Sequence, residues 1–422
     1  MRIQRTIPPA AALIYLTDLL RGLSGIFRTK NNIRRFEKEI KEYFDVRHVF
    51  LVSSGKAAFT LILKALKTLS PDKNQVLIPA YTCFSVPSAI VKAGLKVSLC
   101  DIDISTFDFD NKLLKKAINN NTLCVIPSHL FGIPSEMENL KSLCKDTNTF
   151  IIEDAAQAMG GSYMGMKLGT IGDAGFFSLG RGKNITCGSG GIIVTNSSEI
   201  ADAIEEYYSE LESPGKIEVI REFIEIVIIS IFINPVLYWL PAGLPFLNLG
   251  QTIFYKDFPI KKMSGMKAGL MWYWQRRLEQ SNKTRVKTSD YFRERLGLKN
   301  NWKISVPHLR LPIIVNNRET RDQIYSDSQK YGLGISLMYP TAISRIEEIK
   351  NDFKENNFPA ANKIEERLLA IPTHHLLSER DKKNICELFN KADMLDYFHM
   401  NYEALPDPIQ HQNIESHADR NI

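Results

Sequence analysis

Between residues 49 and 195 one arrangement repeats: a short, almost wholly apolar run, then a helix-length stretch in which apolar residues recur every three or four positions. The apolar runs are Val49 to Ser53, Gln75 to Ile78, Lys96 to Cys100, Leu123 to Ile126, Phe150 to Glu153, Ala174 to Ser178 and Gly191 to Thr195. Runs with no polar alternation suit strands buried on both faces. Strands that alternate with helices predict an α/β fold around a mainly parallel sheet. Ligands of such sheets bind outside the carboxyl ends of the strands. The residues at those exits are Ser54 and Gly55, Tyr81 and Thr82, Asp101, Ser128 and His129, Asp154 and Gln157, and then Lys183. We expect them to converge on one crevice.

The pattern changes after residue 216. Residues 226 to 255 contain no Asp, Glu, Lys, Arg or His. At about 1.5 Å per residue, such a stretch is long enough to cross a bilayer as a helix. A single crossing would leave two parts of one fold on opposite sides of the membrane, and Pro235, Pro241 and Pro245 instead predict a broken hairpin that dips in and returns. Just before it, Ile217, Ile220, Ile224 and Val227 recur at helical spacing with acidic residues between them, as in a helix lying on a surface. The stretch from Pro8 to Phe27 is a candidate to join it. Residues 217–255 are therefore expected to meet a membrane surface. The alternative is packing within the protein or across a dimer interface.

Beyond the insert, Met263 to Leu296 reads as one long helix carrying Trp272 and Trp274, "LPIIV" as a strand and "FPAANKIEERLLA" as a helix. The tail from Pro406 is polar and reads as disordered. The expected organisation is an amino-terminal segment (1–35), a large domain (36–262) containing the insert (217–255), a connecting helix (263–297), a small α/β domain (298–405) and a tail (406–422).

A chain of 422 residues with 44% hydrophobic content can bury a large core. Its net charge of +6 comes from 53 basic and 47 acidic residues that are interspersed, so there is no basic arm for nucleic acid. The six cysteines form no CxxC pair and no cluster with histidine, which argues against a disulfide framework and a zinc site and fits a reducing cytoplasm. Acidic Asp18 follows the apolar run from Ala10 to Leu16 and no clear small-residue cleavage site is present, unlike a secretory signal.

Three exits carry specific chemistry. "SSGKAAFTLIL" (53–63) places a Ser-Gly-Lys turn at a helix start, where free N–H groups and the helix dipole favour an anion; by itself it reads equally as an ordinary strand-to-helix turn. It is not a Walker A loop, because Ala57 stands where Ser or Thr would bind magnesium. "FIIEDAAQAMGG" (150–161) delivers Asp154, which can pair with a protonated ring nitrogen or simply cap the next segment, and Gln157, which can donate to a ring oxygen. "FFSLGRGKN" (176–184) delivers Lys183 among small residues, where a desolvated amine can form a Schiff base with an aldehyde. An anion cradle, a ring-nitrogen carboxylate and an amine, in that order, match the needs of pyridoxal 5'-phosphate (PLP).

In these motifs the chain resembles the DegT/DnrJ/EryC1/StrS family of sugar aminotransferases, within the fold type I PLP enzymes. The resemblance runs from "FEKEIKEYF" at 36 to "FPAANKIEERLLAIPTHHLLSERD" at 358–381 and is densest over 153–196. It implies that Asp154 pairs with the pyridine nitrogen, that Gln157 contacts the ring oxygen, and that Ser178 with Gly55, Lys56 and Ala57 holds the phosphate. Lys183 would be the Schiff-base residue and proton carrier. It also implies a homodimer, an amino donor such as L-glutamate, a nucleotide- or lipid-linked keto sugar as acceptor, and a role in surface polysaccharide or glycolipid biosynthesis. Relatives with histidine in place of the lysine are dehydratases, so Lys183 points to transamination; a noncatalytic membrane-associated scaffold is the remaining reading.

The chain departs from the family pattern at four places. Lys56 stands where threonine is common, and Cys83 in "PAYTCF" stands where an aromatic ring usually stacks on the cofactor, with Tyr81 and Phe84 beside it. Ile260 and Lys262 are the nearest matches to an Asn and an Arg that reach the partner subunit's phosphate. "MYPTAIS" lacks the sugar-side histidine that often follows Tyr-Pro.

Overall fold

The computed structural model describes residues 4–145, 147–244, 252–298 and 306–391. The expected tail and the segment 245–251, with Pro245, lie outside them. Two helices, α1 (Leu16–Phe27) and α2 (Thr29–Phe44), precede the alternating region. That region runs β1 (His48–Val52), α3 (Gly55–Leu69), β2 (Gln75–Pro79), α4 (Ser85–Lys92), β3 (Lys96–Cys100), α5 (Asn111–Ala117), β4 (Thr122–Val125), α6 (Met137–Lys145) and β5 (Phe150–Asp154). A hairpin of β6 (Ser162–Tyr163) and β7 (Met166–Lys167) leads to β8 (Ala174–Ser178) and β9 (Gly191–Thr195). Seven strands form one sheet in the order β1-β9-β8-β5-β4-β2-β3. All seven expected strands are present to within a residue at each end. What the apolar runs do not reveal is direction: β9 is antiparallel to both neighbours, β1 and β8.

Burial on both faces is visible strand by strand. Phe50 and Val52 of β1, Phe176 of β8 and Ile193 of β9 join α3 and α4 in one apolar cluster. Their neighbours Val49, Leu51, Phe177, Ile192 and Val194 join α2 and the helices beyond the insert in another. Successive side chains thus serve opposite layers, as the period of two requires.

After β9 come α7 (Ser198–Glu210), α8 (Lys216–Phe232) and α9 (Trp239–Ala242). The surface-lying helix is therefore longer than the sequence suggests and takes up the first residues of the uncharged stretch. Pro235 lies just beyond its end; a proline ring at 235 would clash with the carbonyl of Ile231 if the helix continued. Among the described residues no helix is long and apolar enough to cross a membrane.

The single long helix expected over 263–296 is instead α10 (Gly265–Leu270) and α11 (Trp274–Arg295). At the break, buried Arg277 reaches back and donates through Nη1 to the carbonyl of Leu270 at 3.0 Å, and the ring of Trp272 is flanked by the guanidinium carbons of Arg21 and Arg35, each 4.4 Å from its centroid. The short α10 crosses α1 backbone to backbone. A Cβ on Gly25 would lie 2.4 Å from the carbonyl oxygen of Gly265, and one on Gly269 would lie 2.5 Å from that of Arg21, so only glycine permits this approach.

The remaining elements are β10 (Arg310–Ile314), α12 (Arg318–Tyr331), α13 (Pro359–Arg367), β11 (Leu368–Pro372) and α14 (Glu379–Lys391). β10 and β11 pair antiparallel. The helix expected through "LLA" stops at Arg367, because Leu368 to Ala370 fill the ladder opposite Pro312 to Ile314. Residues 5–13 run as an extended strap across this part of the molecule. The carbonyls of Pro9, Ala11 and Leu13 accept from Arg310 Nε, Arg285 Nη2 and Arg277 Nη2 at 3.1, 2.9 and 2.9 Å.

Candidate active site

At the carboxyl ends of β5 and β8 a cleft of about 450 Å³ is lined by Gly55, Lys56, Cys83, Asp154, Gln157, Ser178 and Lys183, together with Arg181, Arg310 and Tyr339. The sheet sets its geometry. Asp154 ends β5, its own N–H and C=O bound to Pro127 O (2.9 Å) and His129 N (3.1 Å), so the carboxylate is presented from a fixed backbone. The loop after β8 carries Lys183 back over the same end. It turns at Gly182 (φ +71°), where a Cβ would meet that of Ala10 at 2.7 Å, and the carbonyl of Lys183 accepts from buried Arg285.

Lys183 and Asp154 oppose each other electrostatically. Burial pushes the Lys183 ammonium below its ordinary value, with Arg310 acting the same way and Cys83 and Asp154 opposing. Burial likewise raises the Asp154 carboxyl above the usual range, against the pull of Lys183, and Oδ1 accepts a hydrogen bond from Ala156 N at 3.1 Å. A half-buried amine that gives up its proton readily therefore faces a buried carboxylate that gains from a cationic partner. Gln157 donates from Nε2 to the Tyr339 hydroxyl at 2.8 Å, and its Oε1 is buried with no hydrogen-bond partner.

The anion cradle is built where α3 begins. Ser54 caps the helix, its Oγ accepting from Ala57 N at 3.1 Å. Gly55 lies against Ser178: an added Cβ would come within 2.9 Å of the serine Cβ and 3.2 Å of its Oγ. Ser178 Oγ also accepts from Gly180 N at 3.3 Å. Two members of the expected cradle behave differently. Ala57 is not part of the lining, because its N–H is engaged by the cap and its side chain is buried in the core. Lys56 lines the cleft but directs its ammonium between Tyr255 and Phe258, 4.7 and 4.6 Å from the ring centroids, where burial lowers its proton affinity.

Several strand exits serve the fold rather than the cleft. The Asp101 carboxylate accepts from Ala360 N and Ala361 N, capping α13 at 2.9 Å each. His129 Nε2 lies 2.9 Å from Glu153 Oε2, and Glu153 also accepts from the N–H groups of Gly169, Ile171 and Gly172. Thr82 Oγ1 meets Ser128 Oγ at 3.3 Å in the interior. Of the three side chains considered for the face of a bound ring, Cys83 lines the cleft; Tyr81 is buried against Tyr339, and Phe84 packs in the core. Lys262, a nearest match to the family's partner-reaching residues, donates to Ser209 O (3.2 Å) and lies over the Tyr208 ring, and Ile260 packs on the core.

The sequence reading missed Tyr339, Arg310 and Arg181. Tyr339 belongs to the "MYP" triplet inspected only for a following histidine. Arg310 opens an apolar strand from the second domain, and nothing local marks it as facing a site more than a hundred residues upstream.

A family model described as the DegT/DnrJ/EryC1/StrS aminotransferase family matches residues 14–223 and 259–390, leaving 224–258 unmatched between the two stretches. Over 170 residues the chain is 34% identical to a GDP-perosamine synthase of Vibrio cholerae, an alignment that takes in 40% of this chain and 46% of that protein. The chain spans less than half the length of curated relatives that it matches, from 44 to 47%. Among solved structures, Helicobacter pylori PseC, an aminotransferase of pseudoaminic acid biosynthesis, superposes with a TM-score of 0.73 at 16% identity, covering 92% of this chain and 99% of that one. The PLP form of a putative sugar aminotransferase from Streptococcus pneumoniae gives 0.72 at 21% identity, covering 92% and 98%.

Proposed function

The chain belongs to the DegT/DnrJ/EryC1/StrS aminotransferase family, and on that footing we propose that it is a PLP-dependent aminotransferase that moves an amino group, from a donor such as L-glutamate, onto a nucleotide- or lipid-linked keto sugar of surface polysaccharide or glycolipid biosynthesis. The single observation that carries this reading is the presence, inside one cleft, of half-buried Lys183 and buried Asp154 beside the Gly55–Ser178 contact.

The residues present fit the cofactor. A glycine whose Cβ would crowd Ser178 leaves room for a phosphate at the dipole end of α3. Gln157 Oε1, buried without a partner, awaits a polar group; rotation of the amide would exchange it for the N–H donor that a ring oxygen needs. PLP, when bound, supplies a carbonyl that carries the amino group and a ring that accepts electrons while its nitrogen stays protonated.

The chain's own groups do the rest. Asp154 would hold a proton on the ring nitrogen, because a carboxylate in a buried site lowers its free energy by keeping a cation close. Lys183 would supply the nucleophilic amine, whose proton burial makes easier to lose, and afterwards carry a proton between neighbouring carbons. Tyr339 positions Gln157. A second copy of the chain completes the working enzyme. Exposed apolar residues on α1 and α8 hold it at the inner face of the membrane.

The experiment is direct. Purified wild type should show the visible absorption band of bound PLP, and borohydride treatment should leave a phosphopyridoxyl mass on the peptide containing Lys183. Lys183→Ala should lose the band and the label, with amino transfer down by at least about a thousandfold. A label on a different lysine, or a Lys183→Ala variant as active as wild type, ends the reading.

A further inference from the structure

A second cleft, of about 550 Å³, opens beside the first, and Arg181, Gly182 and Arg310 line both. Its far wall comes from α8, α9 and the residues that follow each: Ile228, Ile229, Phe232, Ile233, Leu240 and Leu244. These residues fall in the segment that lies between the two stretches matched by the family model. Apart from the two arginines, the polar side chains lining it are Thr186, Glu225 and Tyr238, and the Glu225 carboxylate is already paired with Arg221. A nucleoside, with its base edges and ribose hydroxyls, would set most of its donors and acceptors against aliphatic carbon and leave them unpaired. An aliphatic chain leaves nothing unpaired.

Between the two chambers the surface is cationic. Arg310 donates through Nε to Pro9 O at 3.1 Å and places Nη1 3.0 Å from Met338 Sδ, and among the described residues it makes no ion pair with a carboxylate. Arg181 is exposed at the same junction. A phosphate or diphosphate spanning this point would supply the missing anion, and guanidinium groups suit its geometry. Outside the cleft the apolar surface continues along α8, where Ile217, Ile220, Ile224 and Ile231 are 49–85% exposed.

Resting on the aminotransferase reading above, we infer that the acceptor sugar arrives joined through a phosphate or diphosphate to an aliphatic chain: sugar at Lys183, anion at Arg181 and Arg310, chain in the cleft walled by α8 and α9. The ligand class is thus a lipid-linked sugar rather than a nucleotide-linked one.

Full-length, PLP-loaded protein is titrated with farnesyl diphosphate, inorganic diphosphate and GDP, following heat of binding and the visible band. Farnesyl diphosphate should bind roughly a hundredfold tighter than inorganic diphosphate, the difference coming from buried hydrocarbon, and more tightly than GDP. Phe232→Ser and Ile229→Ser should each weaken it by roughly tenfold while the visible band persists, and Arg181→Gln should weaken both diphosphates. Ile220→Ser, on the outer surface, should change nothing. The inference is overturned if GDP binds as tightly as farnesyl diphosphate. It is equally overturned if farnesyl binding survives the cleft substitutions or depends on Ile220, as it would were the cleft filled by a second copy of the chain or the probe merely adsorbed. Should a cleft variant fail to fold, the ligand series on wild type still decides. A wild type without the visible band refutes the aminotransferase reading itself, whereas a normal band with no preference for farnesyl diphosphate refutes only this inference.

Discussion

Lys183 and Asp154 show how one buried site sets two side chains against their ordinary behaviour. Desolvation disfavours the charged form of each, so the amine is driven toward its nucleophilic state and the carboxylate toward accepting a cation. Both positions were legible in the sequence, because Asp154 ends the apolar run of β5 and Lys183 follows that of β8 by a short loop of small residues. Ala57 was not, since the hydrogen bond that removes its N–H depends on the conformation of Ser54. Tyr339 and Arg310 were invisible for another reason: their contact with the cleft comes from a second domain, and no local pattern encodes it. Gly55 allows a test at this scale. In Gly55→Ala the new methyl would lie 2.9 Å from Ser178 Cβ, beside the space proposed for the phosphate. Overpacking of this kind costs about 1–3 kcal/mol, so the thermal midpoint of the cofactor-free protein should fall, and PLP affinity, read by titrating the visible band, should fall roughly tenfold or more. Unchanged affinity would place the phosphate elsewhere.

Strands were the most legible elements, because residues buried on both faces leave a run that no surface helix imitates. Their directions were not, as an apolar run reads alike both ways, and the antiparallel β9 emerges from the 179–190 loop rather than from its own residues. The division between α10 and α11 was hidden because Arg277 also bonds to Leu13 and Trp272 meets Arg21 and Arg35, partners far away in sequence. The exposed faces of α1 and α8 define the prediction proper to this scale. Leu16, Leu20, Leu23 and Phe27 on α1 are 45–85% exposed, α1 touches α8, and Arg28, Lys30 and Arg34 nearby are exposed cations suited to anionic headgroups. The protein should sediment with phosphatidylglycerol-containing vesicles, and Leu20→Glu combined with Ile224→Glu should release it, each change weakening binding roughly tenfold. A wild type that stays in the supernatant, or a double variant that instead dissociates a dimer, would assign this face to contact between copies.

At the scale of the whole molecule, the amino-terminal strap joins parts that the chain order separates. Ile7 N donates to Gly332 O and Thr6 N to Pro235 O at 2.8 Å each, while Arg5 pairs with Asp381 at 2.7 Å. His374 fixes the strap in one protonation state: Nε2–H donates to Pro8 O at 2.8 Å and Nδ1 accepts from Leu376 N at 3.3 Å. Burial, with Arg285, His375 and Arg310 nearby, lowers its pKa from 6.5 to about 3. Between those values the unfolded chain binds a proton that the folded one refuses, so stability present above pH 6.5 is lost as pH falls toward 3, with a slope on the order of 1.4 kcal/mol per pH unit. Burial also lowers His308 to about 3 and His375 to about 4, so both cost stability over the same range. Urea unfolding should show the summed slope, and His374→Gln should reduce it by on the order of 1.4 kcal/mol per pH unit, whereas an unchanged slope would mean that other groups govern acid sensitivity. The strap also bears on how the protein is made. Residues 5–13 are translated well before their partners at positions 332, 374 and 381. That stretch of the nascent chain therefore waits for these partners while everything between them is made, and the contacts that fasten the strap close late.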